Sequence, residues 1–288
     1  MKEKISKTII IIGAAIAPMI LILMLFHIIF ESYPAFSNIG IALMDFEKSW
    51  RPLSQNPSYN LAPMILATVY VAAIAVGIAL VLGVLSSLYL CFFVNKKISA
   101  VVFLFVELLA GVPSVIFGFL GLVLLVKFFE TALWLSSGEC ILSAAILLCV
   151  MLLPYVVSNS RESIEKAKLT CWPTAMSLGF SKEYAIRKVI FPHMKLSILT
   201  SAAIAFGRAL GETMAVMMVI GNSPIWPKLF GRAQTIASLT ALEIGSAEYG
   251  SLHLSAIYSA NLILLILIAL AFSAFGIFSK MKAAGEKL

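Results

Sequence analysis

The sequence has 288 residues, of which 61% are hydrophobic and 12% charged, and its mean hydropathy is +1.02. Soluble domains carry roughly 25% charged residues, so a water-soluble globular protein is excluded and an integral membrane protein is expected. The formal charge of +7 follows from membrane topology, set out below, and calls for no nucleic acid.

In chain order, the basic start MKEKISK leads into the apolar run Ile9 to Phe30. That run is longer than a signal-peptide core and no small-residue cleavage site follows it, so it reads as an uncleaved first span. Further spans are expected at 63–93, 99–127, 139–157, 197–222 and 254–279, each long enough to cross a hydrocarbon core roughly 30 Å thick. The fold class is therefore all-α, a polytopic membrane protein with six transmembrane helices. Residues 1–62 form an N-terminal span and outer loop, and residues 63–288 a five-span core. The outer loop, 31–62, is rich in proline and aromatics (SYPAF, SWRPLSQNPSYN) and is expected to lie along the membrane surface. The loop at about 158–196 is amphipathic and basic, the one place where a cytoplasmic partner could dock.

Orientation follows from lysine and arginine. With the N-terminus inside, fifteen of the 21 basic residues are cytoplasmic, among them Lys2, Lys96, Lys97, Arg161, Lys188 and Lys287. Five fall outside: Lys48, Arg51, Lys127, Lys228 and Arg232. This bias places both termini in the cytoplasm. Cys91, Cys140, Cys149 and Cys171 form no CxxC pair and have no zinc-ligand spacing, so neither a disulfide framework nor a metal site is expected. No phosphate loop, HExxH or GxSxG occurs, which excludes ATP hydrolysis by this chain and the familiar hydrolases. Ser223 and His253 are too far apart in outer loops to suggest an intramembrane protease.

Three ionisable residues remain inside spans: Glu107, Arg208 and Glu212. Each costs on the order of 3 kcal/mol to insert and so points to function. Arg208 lies about 16 Å from the inner boundary at Ser197, near the midplane, at 1.5 Å per residue. On a continuous helix, Arg208 and Glu212 share one face. The alternative is a salt bridge that only lets the helix insert. Gly207 and Gly211 flank the arginine in a GxxxG arrangement that lets a neighbouring helix approach. In LLAGVPSVIFGFLG, residues 108–121, Pro113 predicts a kink, Gly111 and Gly118 thin the helix, and the Ser114 hydroxyl can face a pathway. Glu107 is placed to pair with a lysine or to gate the inner mouth.

The loop WPTAMSLGFSKEYAIRKVIFPHM, residues 172–194, resembles the coupling segment of binding-protein-dependent ABC importer permeases of type I. Gly179 takes the glycine position, and Val189, Phe191 and Pro192 the closing positions. At the EAA positions stand Pro173, Thr174 and Ala175, so the glutamate of that pattern is absent. The spacing predicts a short helix, a turn at Gly179, and a second helix that Pro192 separates from the next span. Within that family, AGVPSVIFG, GRALGETMAV and the following IGN are similar to phosphate-specific permeases, the PstC-like subunits in particular.

The resemblance implies phosphate import across a bacterial cytoplasmic membrane, with Arg208 and Glu212 in the pathway. It implies a PstA-like second permease, two copies of a PstB-like ATPase that uses the ATP, and a PstS-like phosphate-binding protein. No cofactor is expected on this chain, and membrane lipid is its surrounding partner. Two rivals stay open: a permease for another oxyanion such as sulfate, molybdate or phosphonate, and a gradient-driven carrier acting alone.

Overall fold

The computed structural model describes residues 2–45, 49–132, 134 and 137–285. Lys48 and Lys287, which the sequence places on opposite sides of the membrane, lie outside the described residues. The helices are α1 (Lys2–Asn38), α2 (Ala62–Phe92), α3 (Lys96–Ala110), α4 (Ser114–Leu120), α5 (Lys127–Ala132), α6 (Ile141–Thr170), α7 (Trp172–Ser177), α8 (Lys182–Ala185), α9 (Phe191–Gly211), α10 (Met214–Val219), α11 (Ile236–Glu243) and α12 (Leu252–Gly285). Wider π-helical turns, Gly121–Val126 and Ile186–Ile190, join α4 to α5 and α8 to α9. Among the described residues six helical stretches are long and apolar enough to span a membrane: Gly13–Asn38, Ala62–Phe92, Ser114–Ala132, Ile141–Thr170, Lys182–Gly211 and Leu252–Ile277. The all-α, six-span expectation holds.

The chain divides into two compact units, residues 1–62 with 239–265, and residues 63–238 with 266–288. In the first, SYPAF does not begin a surface loop. It continues α1 as far as Asn38, with Pro34 inside the helix. Beyond it the chain folds inward around Trp50, which is 4% exposed. The indole Nε1 donates to both carboxylate oxygens of Glu243, at 3.1 and 3.0 Å, and His253 Nε2 lies 2.8 Å from the same carboxylate. Leu61 N donates to Leu43 O at 2.7 Å, and both side chains are fully buried. The segment that the sequence places along the membrane surface also carries its own small core, because Trp50, Leu43 and Leu61 find apolar and polar partners within the unit.

The second unit is organised around α6, whose inward positions from Ile141 to Ala167 are buried. The start of α6 is tied to the end of α10: Cys140 N and Ser143 Oγ both donate to Val219 O, at 3.2 and 3.0 Å. This satisfies a carbonyl that a helix C-terminus would leave open. Helix α4 packs on α10 through Gly118, where an added Cβ would meet Met218 Sδ at 2.7 Å and the Ala215 Cα at 3.0 Å.

Two expectations about this unit change. Residues 99–127 do not form one kinked helix. The chain breaks at 111–113, with Pro113 extended (φ −58°, ψ 140°) ahead of α4. Helix α3, with 15 residues, reaches only about 22 Å at 1.5 Å per residue, too short to cross alone, so the third span shifts to Ser114–Ala132. Nor does Pro192 separate the loop helix from the fifth span, since Lys182–Gly211 is helical throughout. The π turn at 186–190 ends one residue short of the proline, at the start of α9, and its wider winding makes room where a regular turn would lose a hydrogen bond and clash.

Candidate functional site

The apolar run containing GRALGETMAV is also broken. Helix α9 ends at Gly211, Glu212 is extended (φ −70°, ψ 124°), and α10 restarts at Met214. The local sequence accounts for it. Thr213 Oγ1 turns back to donate to Gly211 O at 3.2 Å, and a Glu212 carboxylate oxygen accepts from Ala215 N at 3.4 Å. These side chains cap the two ends that the break exposes, as short polar residues do at helix termini.

The break overturns the side-by-side placement of Arg208 and Glu212. Four residues on an unbroken helix share a face, but Glu212 has left the helix. Among the described residues no carboxylate comes within ion-pair distance of Arg208. The guanidinium is exposed and its Cζ lies 4.6 Å from the centroid of the Tyr155 ring on α6. A planar guanidinium over an aromatic face is held by cation–π attraction while its N–H groups stay free to donate. The sequence pair thus becomes an arginine placed by a tyrosine and a glutamate that caps α10.

Tyr155 also lines a cavity of about 330 Å³ with Glu107, Ser158, Asn159, Ser201 and Ile204, between α3, α6 and α9. Glu107 pairs there with an arginine, not a lysine: Oε1 is 3.4 Å from an Arg161 terminal nitrogen. Arg161 also holds Glu165 at 2.9 Å and stacks over Phe103, 4.3 Å from the ring centroid. Glu107 therefore lines this cavity directly, whereas Arg208 is connected to it only through the Tyr155 ring. Neither Ser114 nor Glu212 lines it. Ser114 opens α4, half-buried, and its hydroxyl makes no hydrogen bond among the described residues.

Of the four glycines expected at close helix contacts, two are. Gly118 faces α10, and a Cβ on Gly207 would meet the Phe272 ring of α12 at 2.6 Å. Among the described residues a Cβ on Gly211 would meet nothing within 4 Å, and one on Gly111 only its own turn's Leu108 O at 3.5 Å. Gly111 instead ends α3, donating from its N–H to Leu108 O at 3.1 Å.

The predicted elbow is present. Helix α7 carries Thr174, exposed, and Ala175, 3% exposed. Two residues past its end comes Gly179, whose φ of +75° lies in the left-handed region that glycine adopts without strain. Phe180 N closes the turn on Ala175 O at 3.3 Å. Ser181 Oγ then accepts from Tyr184 N at 3.3 Å to start α8. Leu178, Phe180, Tyr184 and Phe191 are exposed apolar side chains here, while Val189 and Pro192 are half-covered. Lys168 and Lys182 donate to Cys91 O and Phe92 O, the last carbonyls of α2, and their amines lie over the Phe92 and Phe93 rings at 4.1 and 4.7 Å. Trp172 packs on Phe92 at 4.9 Å. The elbow is thereby fastened to the end of the second span.

The sequence reading missed Tyr155, Asn159 and Arg161. The signal was available in LPYVVSNSR, residues 153–161, where polar groups at 155, 158 and 159 share a helix face within an apolar run.

A bundle with an unpaired arginine at a broken membrane helix, and an apolar elbow exposed beyond it, is constructed as a membrane permease. Residues 75–282 match the family model described as binding-protein-dependent transport system inner membrane component, and the chain belongs to that family. It is 32% identical over 256 residues to the phosphate transport system permease protein PstC of Mesorhizobium japonicum, covering 82% of this chain and 77% of that one. It is 32% identical over 265 residues to the probable PstC of Methanocaldococcus jannaschii, covering 85% and 84%. A probable ABC transporter permease, YqgH of Bacillus subtilis, is 31% identical over 231 residues, covering 79% and 75%. Among solved structures, an inward-facing MetNI methionine ABC transporter chain superposes with a TM-score of 0.62 at 16% identity, covering 77% of this chain and 95% of that one. At that identity the likeness bears on fold alone.

Proposed function

We propose that this chain is a permease subunit of an ATP-driven, binding-protein-dependent importer of inorganic phosphate in a bacterial cytoplasmic membrane, with both termini cytoplasmic. The observation that carries the reading is the exposed, unpaired guanidinium of Arg208 at a helix break. Backbone irregularity at membrane depth is tolerated where it is buried in protein or lines a water-filled cavity, and a permanently charged group there is expensive unless it has a ligand. The PstC relatives supply the substrate class. A guanidinium offers paired donors matched to phosphate oxygens.

In this reading phosphate passes the break with its oxygens on the Arg208 N–H groups, which the Tyr155 ring keeps directed away from α6. The Glu212 oxygen that does not cap α10 accepts the acidic proton of hydrogen phosphate, a proton sulfate lacks. A PstA-like permease completes the pathway, a PstS-like protein delivers phosphate to the outer face, and two copies of a PstB-like ATPase grip the apolar elbow and its counterpart. ATP binding and hydrolysis on that partner move α8 and α9 as one unbroken helix that carries Arg208 with it.

The test is phosphate uptake by the reconstituted transporter. Arg208→Gln abolishes uptake while the complex still assembles; lost assembly instead makes the arginine structural. Glu212→Gln loses preference for phosphate over competing sulfate; unchanged preference removes the selective role of Glu212. Purification of the chain from its own cells without an associated ATPase overturns the whole reading.

A further inference from the structure

A second cavity, this one basic, lies apart from Tyr155 and Arg208, at the end of the bundle that carries the elbow. It measures about 320 Å³ and sits between the end of α2, the first turns of α3 and the inner face of α6. Three cations line it, Lys96, Arg161 and Lys168, against a single carboxylate, Glu165. Counting Glu107, which reaches Arg161 from the neighbouring cavity, the walls still carry an excess of positive charge.

Two of the cations are fixed in place. Arg161 is held between Glu165 and the Phe103 ring, and Lys168 between Cys91 O and the Phe92 ring. Lys96 is exposed and has no ion-pair partner among the described residues. Ser99 adds a second kind of signal. It is 8% exposed and lines the cavity, yet its hydroxyl makes no hydrogen bond among the described residues.

We infer that this cavity binds a phosphoryl anion, with Lys96 and Ser99 donating to its oxygens and Arg161 and Lys168 adding positive charge. Prearranged donors, a free hydroxyl and excess positive charge suit a tetrahedral oxyanion. The size lies at the low end of small-ligand sites, enough for a phosphate with a glycerol attached. Basic pockets between membrane helices take the headgroups of anionic lipids, and free phosphate offers the same chemistry. The site does not depend on the proposed transport route, since none of its donors touches Tyr155 or Arg208.

The experiment places the full chain in phosphatidylcholine nanodiscs and reads the thermal unfolding midpoint. One arm adds phosphatidylglycerol to the discs; the other titrates inorganic phosphate and is repeated in Arg208→Gln to remove any contribution from that arginine. The midpoint rises by several degrees in at least one arm, and Lys96→Gln and Ser99→Ala each lose at least half of the rise. A rise with phosphatidylglycerol alone identifies a lipid headgroup, and a rise with phosphate that persists in Arg208→Gln identifies the free anion. No rise in either arm, or an undiminished rise in both pocket variants, overturns the site.

Discussion

Removing the Tyr155 ring tests whether Arg208 is positioned or merely present. The guanidinium carbon sits 4.6 Å from the ring centroid. Contacts of this kind contribute about 0.5–1 kcal/mol at exposed sites and about 2 when desolvated. Arg208 is exposed in this chain, so about 1 kcal/mol applies, and that corresponds to roughly fivefold in a rate or binding constant. Tyr155→Leu should therefore lower phosphate uptake at limiting substrate about fivefold in proteoliposomes holding the whole transporter. Tyr155→Phe keeps the aromatic face and should stay within twofold, since the hydroxyl makes no hydrogen bond among the described residues. Complex yield and basal ATPase activity serve as controls for assembly. Equal losses in the two variants would show that the hydroxyl or local packing matters and not the cation–π contact. Full activity in Tyr155→Leu would refute the positioning role outright.

Three further outcomes follow from packing. Added methyls should cost most at Gly118, about 3 kcal/mol, because Ala215 backbone stands 3.0 Å from the new atom, less at Gly207, about 1 kcal/mol, because the partly exposed Phe272 ring can swing aside, and almost nothing at Gly211. Thermal unfolding of the three alanine variants checks that order. Glu243→Ala strips the Trp50 indole N–H of both its acceptor oxygens and should destabilise the first unit by about 1–3 kcal/mol, seen as faster limited proteolysis within residues 49–61. Leu178→Asp, at an exposed apolar position of the elbow, should reduce recovery of an ATPase partner on purification without changing membrane insertion.

Fold class, span count and the elbow were legible because each rests on a signal summed over many residues. Hydropathy gave six apolar stretches, and the Gly179 to Pro192 spacing gave the turn. The breaks were not legible from the same signals. A window of some twenty residues averages over Gly211-Glu212-Thr213 and reads one span, whereas the helix ends there because Thr213 and Glu212 have backbone groups within reach to cap. Likewise Pro113 announced a kink, but kink or break depends on whether Gly111 and Val112 find turn partners, and they do, on Leu108 O and Leu109 O at 3.1 and 3.2 Å. Arg208 was identified correctly as unusual, and its partner was not. The i,i+4 rule presumes a continuous helix, and the residue that holds the arginine, Tyr155, comes from α6, more than fifty positions away.

The two breaks belong to one construction. Both leave a short apolar helix beyond the interruption, α4 after Pro113 and α10 after Thr213, and these two pack on each other through Gly118 and Ala215. Before the interruptions lie α3 and α9, each against α6, with the Tyr155 cavity between them. The hydrogen bonds that cap the breaks are local turns and side chains, so neither break depends on the helix opposite. Within the chain the two joints involve only a few residues each, while α3 and α9 stay packed on α6, and Arg208 lies on the last turn of α9 before its joint. In the proposed transport cycle, a movement delivered to the elbow would travel along the unbroken helix from Lys182 to Gly211 and reach Arg208 before any joint. This is the order a permease needs if force at one end is to alter the hold on an anion near the middle.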